Sequence, residues 1–364
     1  MKICYLTNLP APYTVEFFNE LGKLCDLTVL YERENASDRD SKWKSESEPY
    51  YTEVFLHGLK IGAENSLCPE VIKYLKRDFD AIVIGVYSTF TAMIAITYLI
   101  GNHKKYFIST DGGFVKEDSA IKRKVKTGLI GNACGWFSPS KNTDIYLKYY
   151  GAQQRKIFRY PFTSLADRDI LNEPIEPMTK MHLRKKLGLP KGMLAIGVGQ
   201  FIPRKGWDIL IKAITDNTSL SAIKFLIVGG EENVFSSQIK SDIPENVQIV
   251  PFMSKEDLFE YYKAADFFVL PTREDIWGLV VNEALACGLP VITTDKCNAG
   301  IELIHNGING YLCEAESGSI AEAISKMCEN NLTRMSENAV SSISEYTYSG
   351  MAKRYYEEIN SSSN

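Results

Sequence analysis

Two turns in the second half of the sequence carry residues suited to gripping a phosphorylated ligand. In one, an apolar run, Phe267–Leu270, ends at Pro271, and a helical pattern begins near Gly278 and stops at Gly288 before Pro290. The first amides of that helix, at Gly278, Leu279 and Val280, lack partners within it and suit a diphosphate. Asp275 stands in the loop just before them. Glu283 lies one turn inside, on the side of Leu279 and Val280. A carboxylate there can accept two hydrogen bonds from vicinal hydroxyls such as those of a ribose. It would also favour the positive end of the helix with no ligand at all. In the other turn, Gly197-Val-Gly-Gln200-Phe-Ile-Pro-Arg204-Lys205-Gly206 leads into a helix striped by Trp207, Leu210, Ile211 and Ile214. Arg204, as a fork, and Lys205, as a point charge, can neutralise a departing diphosphate, or they are two surface cations on a loop.

Turns of this kind need parallel strands to feed them. Short apolar runs alternate with amphipathic segments along nearly the whole chain, which implies βαβ units and an α/β fold of two Rossmann-like domains. Strands are expected at Lys2–Thr7, Leu27–Tyr31, Ala81–Val86, Tyr106–Ser109, Gly135–Ser138 and Ile157–Tyr160. A second series falls at Leu194–Gly199, Lys224–Val228, Val247–Val250, Phe267–Leu270 and Pro290–Thr293. The domains are expected at 1–165 and 193–340. Between them, 166–192 is polar, dotted with Pro174, Pro177 and Pro190, and reads as a linker holding one short basic helix, Met181–Leu187. Residues 341–364 read as a C-terminal helix returning to the first domain. The charged, serine-rich stretch 32–52 reads as a long loop.

Composition removes several classes. A chain of 364 residues with 45 % apolar content can fill two cores and is not disordered, and its net charge of −4 gives no general attraction to nucleic acid. The eight cysteines form no CxxC pair, so no zinc site or disulfide framework is expected and a reducing cytoplasm fits. No carboxylate–histidine cluster argues for a metal. The first residues lack the pattern of a signal peptide. Ala81–Ile100 is uncharged and long enough to span a bilayer, but it reads as a buried strand followed by a helix capped by Ser88 and Thr89. Walker A and GxGxxG patterns are missing. Ile202 occupies the third-glycine position after Gly197 and Gly199, which disfavours a nicotinamide or flavin site. The cations between Lys116 and Lys126 are either a solvated helix face or, with Ile121 and Val125, a face that rests on an anionic membrane.

The segments PTREDIWGLVVNEALACGLPVI and GQFIPRKGWDILIKA resemble the donor-site motifs of family 4 glycosyltransferases, which are retaining enzymes of the GT-B superfamily. Val250–Ser254, Gly300–Ile304 and Asn306–Gly310 extend the resemblance, which is close in the C-terminal half and only a matter of pattern before it. It implies two Rossmann-like domains with parallel sheets facing across a cleft, the first on the acceptor side and the second holding a nucleotide sugar. It implies front-face transfer of a hexose-type sugar, UDP-linked rather than GDP-linked, to a glycan or lipid-linked acceptor in surface polysaccharide synthesis, with no cofactor besides the donor. The workplace would be the cytoplasm or the inner face of the cell membrane. The family's two acidic residues, separated by seven others, fall on Asp275 and Glu283, with Glu274 the other candidate for the first. Arg204 and Lys205 would hold the diphosphate and Glu283 the ribose. Gln200 and Phe252 would line the donor site, the base lying near Val250 to Phe252. Many relatives carry a histidine at the end of a first-domain strand, but His57, His103, His182 and His305 match no such motif. Asp111 takes that place, beside Gly112 and Gly113, which permit close approach of a sugar; otherwise it caps the following turn. Tyr13, after the proline-stiffened Asn8–Pro12, lines the acceptor side or is part of a turn. Because Asp111 and Asp275 depart from the usual pattern, a nucleotide-sugar epimerase of the same fold and a non-catalytic sugar-nucleotide-binding subunit stay open.

Overall fold

The computed structural model describes residues 1–34, 49–61, 65–239 and 242–363. Most of the expected loop at 32–52 lies outside them. The chain divides into two compact units, one formed by Met1–Thr163 with the residues from Thr347 onward, the other by Ser164–Tyr346.

The first unit is built on seven parallel strands. These are β1 (Lys2–Thr7), β2 (Asp26–Tyr31), β3 (Thr52–Phe55), β6 (Ala81–Ile84), β7 (Phe107–Ser109), β8 (Gly135–Ser138) and β9 (Ile157–Arg159); β4 (Leu59–Ile61) and β5 (Asn65–Leu67) form a separate antiparallel pair. The order across the sheet is β3-β2-β1-β6-β7-β8-β9. Strands buried on both faces read as near-continuous apolar runs: β6 is apolar throughout, and β1, β7 and β8 are apolar but for Lys2 and Thr7, Ser109, and Ser138 at their ends. One face is covered by Ile96, Leu99, Tyr106, Trp136 and their neighbours. On the other face Tyr355, from the helix Tyr348–Ser363, stacks on Phe137 with ring centroids 3.9 Å apart. Its hydroxyl lies 2.6 Å from Ser109 Oγ, so the C-terminal helix completes this unit's core. The uncharged run at 81–100 is strand β6 plus the helix Phe90–Gly101, whose Thr89 cap accepts a bond from the Ala92 amide at 3.1 Å. Among the described residues, no helix is long and apolar enough to cross a membrane.

The second unit is a six-stranded parallel sheet of β10 (Leu194–Val198), β11 (Lys224–Val228), β12 (Val247–Val250), β13 (Phe267–Leu270), β14 (Val291–Thr294) and β15 (Gly310–Cys313), in the order β12-β11-β10-β13-β14-β15. Strand order therefore reverses between β10 and β13, which leaves a crevice beyond their carboxyl ends.

Residues 166–192 are part of this unit rather than a free linker. The helix there is longer than expected, Pro177–Leu187, with proline at its start and Gly188 at φ 66° at its end. Its Arg184 reaches Asp266 Oδ2 at 2.8 Å and the Ala264 carbonyl at 2.8 Å, and Lys180 reaches Asp266 Oδ1 at 3.2 Å. The helix Leu332–Ile343 also belongs here, so the chain leaves the unit after Tyr346 rather than near residue 340.

Candidate functional site

The crevice of the second sheet is fed by β10 through Gly199–Gly206 and by β13 through Pro271–Gly278. Glycine lets the two turns meet. Gly206 has φ 71°, and a Cβ there would lie 2.1 Å from the Pro271 carbonyl oxygen. The Arg204 carbonyl accepts bonds from the Arg273 amide at 2.8 Å and from Thr272 Oγ1 at 3.0 Å.

Within this junction Lys205 Nζ lies 2.5 Å from Asp275 Oδ2, both side chains largely buried. Arg204, more exposed, is 3.7 Å from Asp275 Oδ1. Two cations thus converge on one carboxylate. Glu274, the other acidic candidate, contributes its carbonyl to Arg204 Nη1 at 3.1 Å. The helix Leu279–Ala286 opens at Gly278, whose φ of 101° presents its first turn; a Cβ at Gly278 would meet Cys297 Sγ at 2.6 Å. Leu279 and Val280 are half-buried at that end.

The loop carrying Asp275 is braced from its other side as well. The Asp275 amide donates to the Lys296 carbonyl at 2.8 Å, and Asn298 Nδ2 to the Ile276 carbonyl at 2.6 Å. Cys297 Sγ donates to the Trp277 carbonyl at 3.1 Å, and Trp277 Nε1 to Asn282 Oδ1 at 2.9 Å. Sequence reasoning did not single out Asn298 or Cys297; their position immediately after a predicted strand was the available signal.

Glu283 has partners of its own. Ser164 Oγ donates to one carboxylate oxygen at 2.9 Å and the Tyr262 hydroxyl to the other at 3.2 Å. Burial raises its pKa, while Ser164, Lys255 and Tyr262 oppose the shift. Lys255 in turn donates to the Ser164 carbonyl and to Asp169, each at 2.7 Å. Each carboxylate oxygen keeps a lone pair for a further hydroxyl. Ser164, Tyr262 and Lys255 were not legible as site residues, because nothing in their local sequence points to position 283. Gln200 is exposed at the end of β10, its carbonyl taken by Trp207 Nε1 at 3.1 Å. Phe252 is 76 % exposed just past β12.

In the first unit the Tyr13 hydroxyl donates to Asp111 Oδ2 at 2.9 Å, and the Tyr13 ring packs edge-on to Phe162. Asp111 thus bonds a residue 98 positions away and does not cap the turn after it. Desolvation raises its pKa and the Tyr13 bond lowers it. Gly112 has φ 145°, and a Cβ at Gly113 would press on the Tyr146 ring at 3.0 Å. The basic cluster forms the helix Ala120–Ile130. Buried Asp118 takes Lys122 at 3.1 Å and Lys126 at 2.9 Å, while Ile121 and Val125 are 80 % and 48 % exposed.

Residues 180–342 match the family described as glycosyl transferases group 1. Mannosylfructose-phosphate synthase of Agrobacterium fabrum is 28 % identical over 163 residues, 42 % of this chain and 35 % of that protein. D-inositol 3-phosphate glycosyltransferase of a Mycobacterium species is 31 % identical over 147 residues, 38 % of this chain and 33 % of that one. The match thus spans about a third of the length of these relatives. Whole-chain likeness is structural. Anabaena HepE in complex with UDP superposes with a TM-score of 0.78 at 17 % identity, over 99 % of this chain and 100 % of that one. Sucrose-phosphate synthase from Thermosynechococcus elongatus superposes with a TM-score of 0.75 at 16 % identity, over 98 % of each. The fold is GT-B. Its second unit carries the sequence pattern of glycosyl transferases group 1.

Proposed function

We propose that this protein is a retaining glycosyltransferase of family 4. It moves a hexose-type sugar from a UDP-sugar to a glycan or lipid-linked acceptor, at the inner face of the cell membrane, in surface polysaccharide synthesis. The observation that carries this reading is the meeting of Lys205 and Arg204 with Asp275 at the strand-order reversal of the second sheet. That is where an open α/β sheet holds its ligand, and two cations beside a helix start suit a diphosphate. A solved neighbour of the same fold carries UDP by its own title, which favours uridine here.

In this reading Lys205, Arg204 and the amides at Gly278 to Val280 hold the charge that develops on the leaving diphosphate. Asp275, relieved of Lys205 by that anion, turns to the hydroxyls of the donor sugar. Glu283 takes the ribose, with Gln200 and Phe252 toward the base. No enzyme nucleophile is needed for front-face transfer, and no metal either. Asp111 takes the catalytic place of the relatives' histidine toward the donor sugar, and Gly112, Gly113 and Tyr13 serve the acceptor side. The exposed Ile121 and Val125 among Lys122, Arg123 and Lys124 suit a lipid-linked acceptor at an anionic surface.

A thermal-shift screen of nucleoside diphosphates and their sugars, in EDTA, tests this without an acceptor. UDP and UDP-sugars should raise the melting temperature, since a ligand at a hundred times its dissociation constant stabilises the native state by about 2.7 kcal/mol. Indifference to every nucleoside diphosphate would remove the reading.

A further inference from the structure

On the strength of the donor-site reading, we propose that Arg273 is a positioning residue that acts through Lys205 by clamping both ends of the Arg204–Lys205 turn. Lys205 and Asp275 come from loops 70 residues apart, so their ion pair exists only if the two loops hold a fixed register. Arg273 supplies it. Its Nη1 donates to the Pro203 carbonyl at 2.8 Å, ahead of the turn. Its Nη1 and Nη2 also fork onto Asp208 at 2.7 and 2.5 Å, in the first turn of the helix behind it. Its amide and the neighbouring Thr272 hydroxyl both reach the Arg204 carbonyl in between. Thr272 is anchored in turn, its carbonyl accepting from Thr294 Oγ1 at 2.6 Å. The clamp therefore ties the turn to the sheet.

On one side the turn lacks close packing. On its flank lies a cavity of about 170 Å³ lined by Phe201, Ile202, Pro203, Trp207, Phe235 and Ile239, with Arg273 and Asp208 also on its wall. Backbone over a void is held by its hydrogen bonds rather than by close contacts. The electrostatics are reciprocal. Arg273 holds the Asp208 carboxyl below the usual carboxylate range, and Asp208 raises the guanidinium. Yet both side chains are over 40 % exposed, 43 % for Arg273 and 42 % for Asp208. Ion pairs so exposed add little to global stability, so the placement of Lys205 is separable from the fold. Lysine cannot replace the fork, since it offers a point charge.

The test measures UDP affinity by calorimetry, with GDP in parallel, on the full chain. Arg273→Met and Asp208→Asn should each weaken binding roughly tenfold, as small misplacements of a binding group do. Arg273→Lys should fall between, and melting temperatures should stay near that of the parent. In a Lys205→Ala background Arg273→Met should add almost nothing, the non-additivity expected of residues that act as one. Additive losses, unchanged affinity in both Arg273→Met and Asp208→Asn, or losses that track a fall in melting temperature would each overturn the clamp. If instead Lys205→Ala binds UDP and GDP as the parent does, or the parent binds neither, the donor-site reading itself fails and the clamp with it.

Discussion

The two sheets share one way of ordering their strands and differ in what they place at the carboxyl edge. At the reversal of the second sheet stand Lys205, Arg204 and Asp275, opposed charges brought within bonding distance and braced by Thr272, Arg273 and Asn298. At the first sheet's edge desolvation raises the pKa of two carboxylates. Glu32, just past β2, is almost wholly buried, one of its oxygens without a partner among the described residues, and burial raises its pKa to about 7. Asp111 is raised in the same direction and bonded by a tyrosine. One topology thus makes an edge of paired opposite charges, Lys205 and Arg204 with Asp275, and an edge where a carboxylate meets a tyrosine, Asp111 with Tyr13.

The contrast is sharpest at Lys205. Lys205→Ala should lower turnover by roughly 10²–10³, the usual effect of losing one preorganised group on a developing anion, while circular dichroism stays native. Near-normal kinetics would break the electrostatic half of the comparison. On the other edge Asp111→Asn should be milder, about tenfold, because the amide keeps an oxygen that can accept the Tyr13 hydroxyl's bond. Assays with and without acceptor separate the two variants: Asp111→Asn should leave UDP affinity alone, and a large loss of UDP binding there would erase the distinction between edges.

Glu32 gives a pH signature. Its native pKa near 7 exceeds the ordinary 4.5, so between those values the native chain keeps a proton that the unfolded chain releases. Stability from this group is whole below about 4.5 and drains as pH rises through 7. Glu32→Gln should therefore melt higher than the parent at neutral pH and match it in acid, and parallel melting-temperature profiles would refute the assignment. The smallest effect concerns the membrane. Reversing Lys122, Arg123 and Lys124 to glutamate should reduce flotation with anionic vesicles, each basic residue near such a surface contributing about 1 kcal/mol. Unchanged flotation would leave that helix a solvated face.

Much of this was readable along the chain. The strands β10 and β13 of the second sheet, the stops at Gly188 and Gly288, and the two turns after those strands follow from period, glycine and proline within a few residues of one another. The edge strands β3 and β15 were not anticipated, since three or four half-buried residues beside glycines or charges carry little periodicity. The segment 166–192 was misread as a linker because its polar residues look solvated in isolation. Its Lys180 and Arg184 are committed to Asp266, some eighty residues on.

What the amino-acid order determined by itself was local: which stretches become strands or helices, where chain turns must be glycine, and which cations and carboxylates sit at those turns. Only the tertiary structure decided partnership. It chose Lys205 and Arg204 for Asp275, Ser164 and Tyr262 for Glu283, and Tyr13 for Asp111. Local preference is set by neighbours a few bonds apart. A hydrogen bond or ion pair between distant loops exists only once the sheet has placed both of them.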